Sequence, residues 1–185
     1  MAYATADELA VLLGRGDDPF SEAETTKANL LLAIATGDMD RELGQSLTLS
    51  ESTAELDGTG TPVLLLPRWP VTAVASVSVI DDLDEAAEDL VADTDYRWSR
   101  YGKLRRLRSC WPCIERAVEV TYTAGWDPIP DDIKGMCLRL AQAGWSNFAG
   151  AESERLGDWS VKWHVPGMNL STSDLATLGF YRART

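Results

Sequence analysis

The stretch AVEVTYTAGWDPIPDDIKGMCLRLAQAGWSNFA, Ala117 to Ala149, decides how the chain is read. Val118, Val120 and Tyr122 alternate with Glu119, Thr121 and Thr123, the period of two that marks a half-buried strand. Ala124-Gly125-Trp126-Asp127-Pro128 then ends the strand, because Gly permits positive φ and Pro removes a ladder donor. Pro130 suits a first helical position, where its missing N–H costs nothing. Asp131 and Asp132 follow, where the helix dipole favours negative charge. Ile133, Cys137, Leu140, Ala141, Gly144 and Phe148 recur at spacings of three and four and define one apolar face. The stretch therefore predicts strand, hard turn and core helix, the helix covering 130–149.

Working back toward the N-terminus, Thr5 with Glu8 forms a capping box and opens a helix over 5–13, stopped by Gly14. Ser21 with Glu24 opens a second helix over 22–43, with Leu31, Ala35, Met39 and Leu43 on one row. Its partner is expected to be the stripe containing Leu140. From about 47 to 124 the pattern changes to short strand-like runs. These are Thr48 to Leu56, Val63 to Leu66, and Val74 to Ile80, the last with Val74, Ser76 and Ser78 opposite Ala75, Val77 and Val79. Tyr96–Trp98 and Lys103–Leu107 read as a hairpin around Tyr101-Gly102, and the acidic run Asp81 to Asp89 as a solvated loop. Beyond the core helix, Trp159, Val161 and Trp163 alternate on a further strand. Ser171 with Asp174 caps a short last helix carrying Leu175 and Leu178. The fold class is α+β: a mainly helical core of four helices with a β-rich insertion between the second and third. Residues 1–170 form the core, and 171–185 a C-terminal helix and tail.

A chain of 185 residues is most simply one domain. Its net charge of −12 argues against a sequence-reading DNA binder, which presents a basic face to phosphates. The N-terminus lacks the features of a signal peptide, and the longest apolar run, Leu30 to Ala35, is too short to span a bilayer. Three cysteines do not make a disulfide framework and suggest a soluble protein in a reducing compartment.

Catalytic readings are weak. Cys110-Trp111-Pro112-Cys113 has redox spacing but no helix N-terminus to activate a thiol, so a turn is favoured over a small thiol redox enzyme. A lone C-x-x-C lacks the second pair that zinc needs. His164, the one histidine, has no nucleophile elbow to serve. The acidic run lacks the spacing and central Gly of an EF-hand. No catalytic, metal or cofactor residues are assigned. Arg97, Arg100, Lys103, Arg105, Arg106 and Arg108, interleaved with Trp98 and Tyr101, form one basic cluster. It reads either as a nucleic-acid patch or, better in so acidic a chain, as an electrostatic dock for an acidic neighbour or a second copy. Tryptophan is enriched at interfaces, so Trp159, Trp163, Arg97, Arg105 and Arg106 are the candidate subunit-interface residues.

Six segments in order carry a resemblance: Leu66-Pro-Arg-Trp-Pro-Val71, Val74-Ala-Ser-Val-Ser-Val79, Val118-Glu-Val-Thr-Tyr-Thr-Ala-Gly125, Ile129-Pro-Asp-Asp-Ile-Lys134, Leu156-Gly-Asp-Trp-Ser160 and Leu178-Gly-Phe-Tyr-Arg182. Together they resemble the head-tail connector (adaptor) proteins of long-tailed double-stranded DNA phages. The resemblance implies a structural virion protein at the head–tail interface, assembled in the bacterial host cytoplasm. It implies a homo-oligomeric ring, expected as a dodecamer, beneath the portal protein. Such a ring extends the DNA channel, passes double-stranded DNA without reading it, and receives the stopper or the tail. It also implies that the C-terminal segment grips the portal, here through Leu175, Leu178, Tyr181, Arg182 and Arg184. With only Leu175 and Leu178 as apolar residues, that helix is expected to be loosely held before docking, the alternative being a short helix packed on its own domain. The alternative to an adaptor is a tail-side completion ring.

Overall fold

A computed structural model describes residues 2–16, 18–81, 86–146, 153–156, 159–162 and 168–183. Phe148, Trp163, His164 and Arg184 lie outside them, and Trp159 is described by its backbone alone. The chain divides into two compact units rather than the single domain that length suggests. One is Met1–Gly44 with Pro128–Arg182; the other is Gln45–Asp127. The β-rich insertion between the second and third helices has a core of its own, which is why it separates.

In the helical unit, local cap chemistry sets the ends. Thr5 Oγ1 accepts from Glu8 N–H, and the Glu8 carboxylate accepts from Thr5 N–H, opening α1 (Ala6–Leu12). Ser21 and Glu24 do the same for α2 (Glu22–Leu43), which ends on Gly44 at φ +67°. Each cap is worth about 1 kcal/mol. On α3 (Asp131–Ser146), Ile133, Cys137, Leu140, Ala141 and Gly144 are buried, as is the Leu31, Ala35 and Met39 row of α2. The two faces meet: Cys137 Sγ lies 3.6 Å from Thr36 Oγ1, and a Cβ on Gly144 would come within 3.0 Å of Leu31. Burial pushes the Cys137 thiol up, so it behaves as a small apolar side chain. A hairpin of β8 (Ser153–Leu156) and β9 (Trp159–Lys162) follows, then α4 (Thr172–Gly179).

The insertion folds as two antiparallel sheets. β1 (Ser50–Leu56), β7 (Val118–Ala124), β3 (Val71–Val79) and β4 (Glu88–Asp89) form the first, in the order β1-β7-β3-β4. β2 (Val63–Leu65), β6 (Lys103–Arg106) and β5 (Tyr96–Trp98) form the second, in the order β2-β6-β5. Leu64, Val77, Val79, Tyr96, Leu104, Trp111, Val118, Val120 and Tyr122 make one shared core, so the sheets pack inner face to inner face. The alternation read for β7 is the observed one. That read for β3 is observed over Ser76–Val79 and fails upstream, where Ala75 is exposed. Register shifts between Val71 and Ala73 and between Val74 and Ser76 leave Val71, Val77 and Val79 as the buried residues. The acidic run after it is not all loop, because Glu88 and Asp89 pair with Val79 and Ser78.

Candidate functional site

The C-terminal helix was expected to fray, and the described residues show it docked. Its Ser171–Asp174 capping box forms, and the same Asp174 carboxylate accepts from Arg139 of α3 at 2.5 Å. Burial alone would raise the Asp174 pKa, but the Ser171 N–H and hydroxyl and the Arg139 guanidinium hold it below the usual range. Leu178 is 2% exposed. Tyr181 Oη donates to the Asp132 carboxylate at 2.9 Å; burial first, then that acceptor, push its pKa up to about 12. Arg182 donates to the Glu42 carbonyl and carboxylate, both at 2.9 Å, at the C-terminal end of α2 where the dipole favours a cation. The correction has a simple cause: the anchoring partners lie far away in sequence, where no local pattern announces them.

Two large apolar side chains of this segment stay exposed. Leu175 is 42% exposed and Phe180 is 80% exposed. Beside Leu175 a groove of about 230 Å³ is lined by Asp38, Arg41, Glu42, Met168, Asn169 and Leu170. Phe180 is a residue that sequence reading did not single out. Its signal was position: it is the first residue after a capped helix, with nowhere local to bury.

The basic cluster is divided by the fold. Arg106 turns inward, its side chain 10% exposed, and makes a two-pronged contact with Asp81 at 2.7 Å while lying over the Trp111 ring. The Asp81 hydrogen bond raises the Arg106 pKa, and Arg106 lowers that of Asp81. Arg106 is thus engaged within the β unit rather than presented to a neighbour, which corrects its reading as an interface candidate. Arg97 and Arg105 are exposed, as is Lys103. Arg97 meets Asp93 at 3.2 Å in a solvent-exposed pair, which adds little.

Arg68, whose structural role sequence reading did not single out, sits in the Leu66–Val71 segment. Its guanidinium donates to the carbonyls of Ser46, Thr48 and Ala124 and to Ser50 Oγ. It ties the entry to β1 to the exit of β7. Cys110 and Cys113 are exposed free thiols. Replacing both with Ser is expected to leave the melting transition and particle assembly unchanged; loss of infectivity in a folded double variant would reopen the thiol reading. Among the described residues, no group of three His, Cys, Asp or Glu could hold a metal ion, and no helix is long and apolar enough to cross a membrane.

A capped helix showing two exposed apolar side chains, and a sheet showing exposed cations, offer surfaces to other macromolecules. Residues 21–142 match the head completion protein family, and the chain belongs to that family of structural virion proteins. No curated protein matches the sequence. Among solved structures, the chain is similar in fold to one in the neck of an empty GTA particle computed with C6 symmetry, at TM-score 0.59 and 18% identity, over 91% of this chain and 84% of that one. A chain in the virion of a native gene transfer agent (GTA) particle gives TM-score 0.58 and 18% identity, over 91% and 82%. One in the neck of a native GTA particle computed with C12 symmetry gives 0.57 and 17%, over 97% and 91%.

Proposed function

We propose that the chain is a head–tail adaptor: copies form a ring, expected as a dodecamer, beneath the portal protein, extend the DNA channel, and receive the stopper or tail. Membership in the head completion family carries this reading. The shared fold with chains in particle necks computed with C6 and C12 symmetry supports the ring. The net charge of −12, repeated around an axis, would repel phosphates and let DNA pass without adhering. Residues 1–170 are the connector core and 171–185 the portal-facing segment. In that segment Leu178, Tyr181 and Arg182 hold the helix in place, while Leu175 and Phe180 form the apolar contact and Arg184 follows them.

Two measurements test this. The mass of the protein alone and mixed with portal rings should show the ring; monomers in both conditions would sink it. Leu175→Asp combined with Phe180→Asp should leave the melting curve unchanged, since both side chains face water. It should weaken binding to portal rings by about 30-fold, the loss typical of an interface hot spot. Unchanged portal affinity would place the grip elsewhere, and binding to isolated tails but not to portal would make the protein a tail-side completion ring.

A further inference from the structure

The outer faces of the two sheets in the β unit carry opposite charge. On the three-stranded sheet, cross-strand register places Val63, Arg105 and Arg97 in one outward row, and Leu65 with Lys103 in the next. All five are exposed. Arg97 and Arg105 are direct cross-strand partners, an arrangement of like charges that costs stability unless an anion is supplied. Asp93 meets Arg97, whereas Arg105 and Lys103 have no ion pair among the described residues. A groove of about 360 Å³ runs between these side chains and Trp98.

The four-stranded sheet is the opposite case. Its register sets Glu55, Glu119, Ser78 and Asp89 in one row across all four strands, with Glu51 further along β1. The alternate residues Val77, Val79, Val118 and Val120 are core, so this row faces out, and its acidic members are exposed. Glu55 and Glu119 are again like charges directly paired; Arg116 at the margin contacts Glu55. A groove of about 390 Å³ lies over Glu55, Ser78, Arg116 and Glu119. Because the sheets share one core, the cationic and anionic faces lie on opposite sides of one unit.

We propose that these faces are the two halves of a head-to-tail contact between successive copies of the chain. Each face relieves the like-charge pairing of the other. The alternative symmetric dimer, pairing either face with itself, would set cation against cation or anion against anion. A contact between two different faces of one chain propagates, and it closes into a ring when the rotation per copy divides the circle. The proposal rests on the ring reading above and supplies its lateral contact.

The test is charge reversal with complementation. One variant carries Arg97→Glu, Lys103→Glu and Arg105→Glu. The other carries Glu51→Lys, Asp89→Lys and Glu119→Lys, which leaves the Arg116–Glu55 pair in place. All six sites are exposed, and circular dichroism and melting of each variant check that it is folded. Native mass and sedimentation are then measured for wild type, for each variant, and for an equimolar mixture, alone and on portal rings. Wild type should assemble, each variant alone should lose the oligomer, and the mixture should regain it with the two variants alternating. Variants that assemble like wild type would overturn this contact and leave the ring standing. Wild type that stays monomeric, even on portal, would overturn both. Duplex DNA retained by wild type but not by the Arg97/Lys103/Arg105 variant, with assembly intact, would overturn it in favour of a nucleic-acid face.

Discussion

Leu140→Asp is expected to leave no soluble, folded protein. Leu140 is 4% exposed, in the middle of the α3 stripe that meets α2. The exchange removes a buried aliphatic side chain, which costs about 2–5 kcal/mol. It also puts a carboxylate where the neighbours that pack the stripe, such as Ile133, Cys137 and Leu31, are apolar or weakly polar. That group must stay ionised without a partner or take up a proton, and either route costs several kcal/mol more. The sum rivals the whole stability of a domain, about 5–15 kcal/mol. Leu30→Asp is the control: Leu30 is 57% exposed on the other side of α2, and that variant should remain folded. Soluble Leu140→Asp protein with a cooperative melt would show that the α2–α3 seam is not the core of the helical unit.

The second large effect is expected at Gly125. This residue has φ +122° and follows β7, where the chain passes against the segment leading into β1. Gly125 N–H donates to the Pro70 carbonyl, Trp126 N–H to that of Leu47, and Leu49 N–H to that of Trp126. An added Cβ would sit 2.6 Å from the carbonyl carbon and oxygen of Thr48. Thr48 cannot yield easily, because Arg68 grips its carbonyl at 2.6 Å together with those of Ser46 and Ala124. Backbone strain and overpacking together should cost on the order of 4 kcal/mol. In a chain of this size that lowers Tm by roughly 10 °C. Gly37→Ala gives the contrast: Gly37 lies inside α2 with nothing within 4 Å of its Cβ position, so alanine should stabilise by up to ~1 kcal/mol. Equal melting curves for Gly125→Ala and wild type would mean that the close approach at Thr48 is not maintained.

Both effects rest on features of different origin. The α3 stripe could be read directly, because spacings of three and four place residues on one helix face whatever the rest of the chain does. The same holds for Thr5–Glu8, Ser21–Glu24 and Ser171–Asp174, where donor and acceptor lie within four residues. Val118, Val120 and Tyr122 announced β7 through a period of two, and Gly125 announced a break. Nothing local said that Gly125 would lie against Thr48, more than seventy residues earlier.

The sequence by itself thus determined the helices, their caps, the central strand and the order of motifs that resembles a connector. Only the tertiary structure decided partners. It paired β7 with both β1 and β3, which turned Glu55, Glu119 and Asp89 into one acidic row. It shifted the register of β3 with two irregularities that composition does not encode. It took Arg106 out of the basic cluster by offering it Asp81 and left Arg105 in solvent, although the two are adjacent in the chain. It packed α4 and the residues after it against the helical unit through Arg139, Asp132 and Glu42. The physical reason is the same each time. Caps and periodicities act within a few residues, whereas the fate of a charge depends on which distant backbone the register brings beside it.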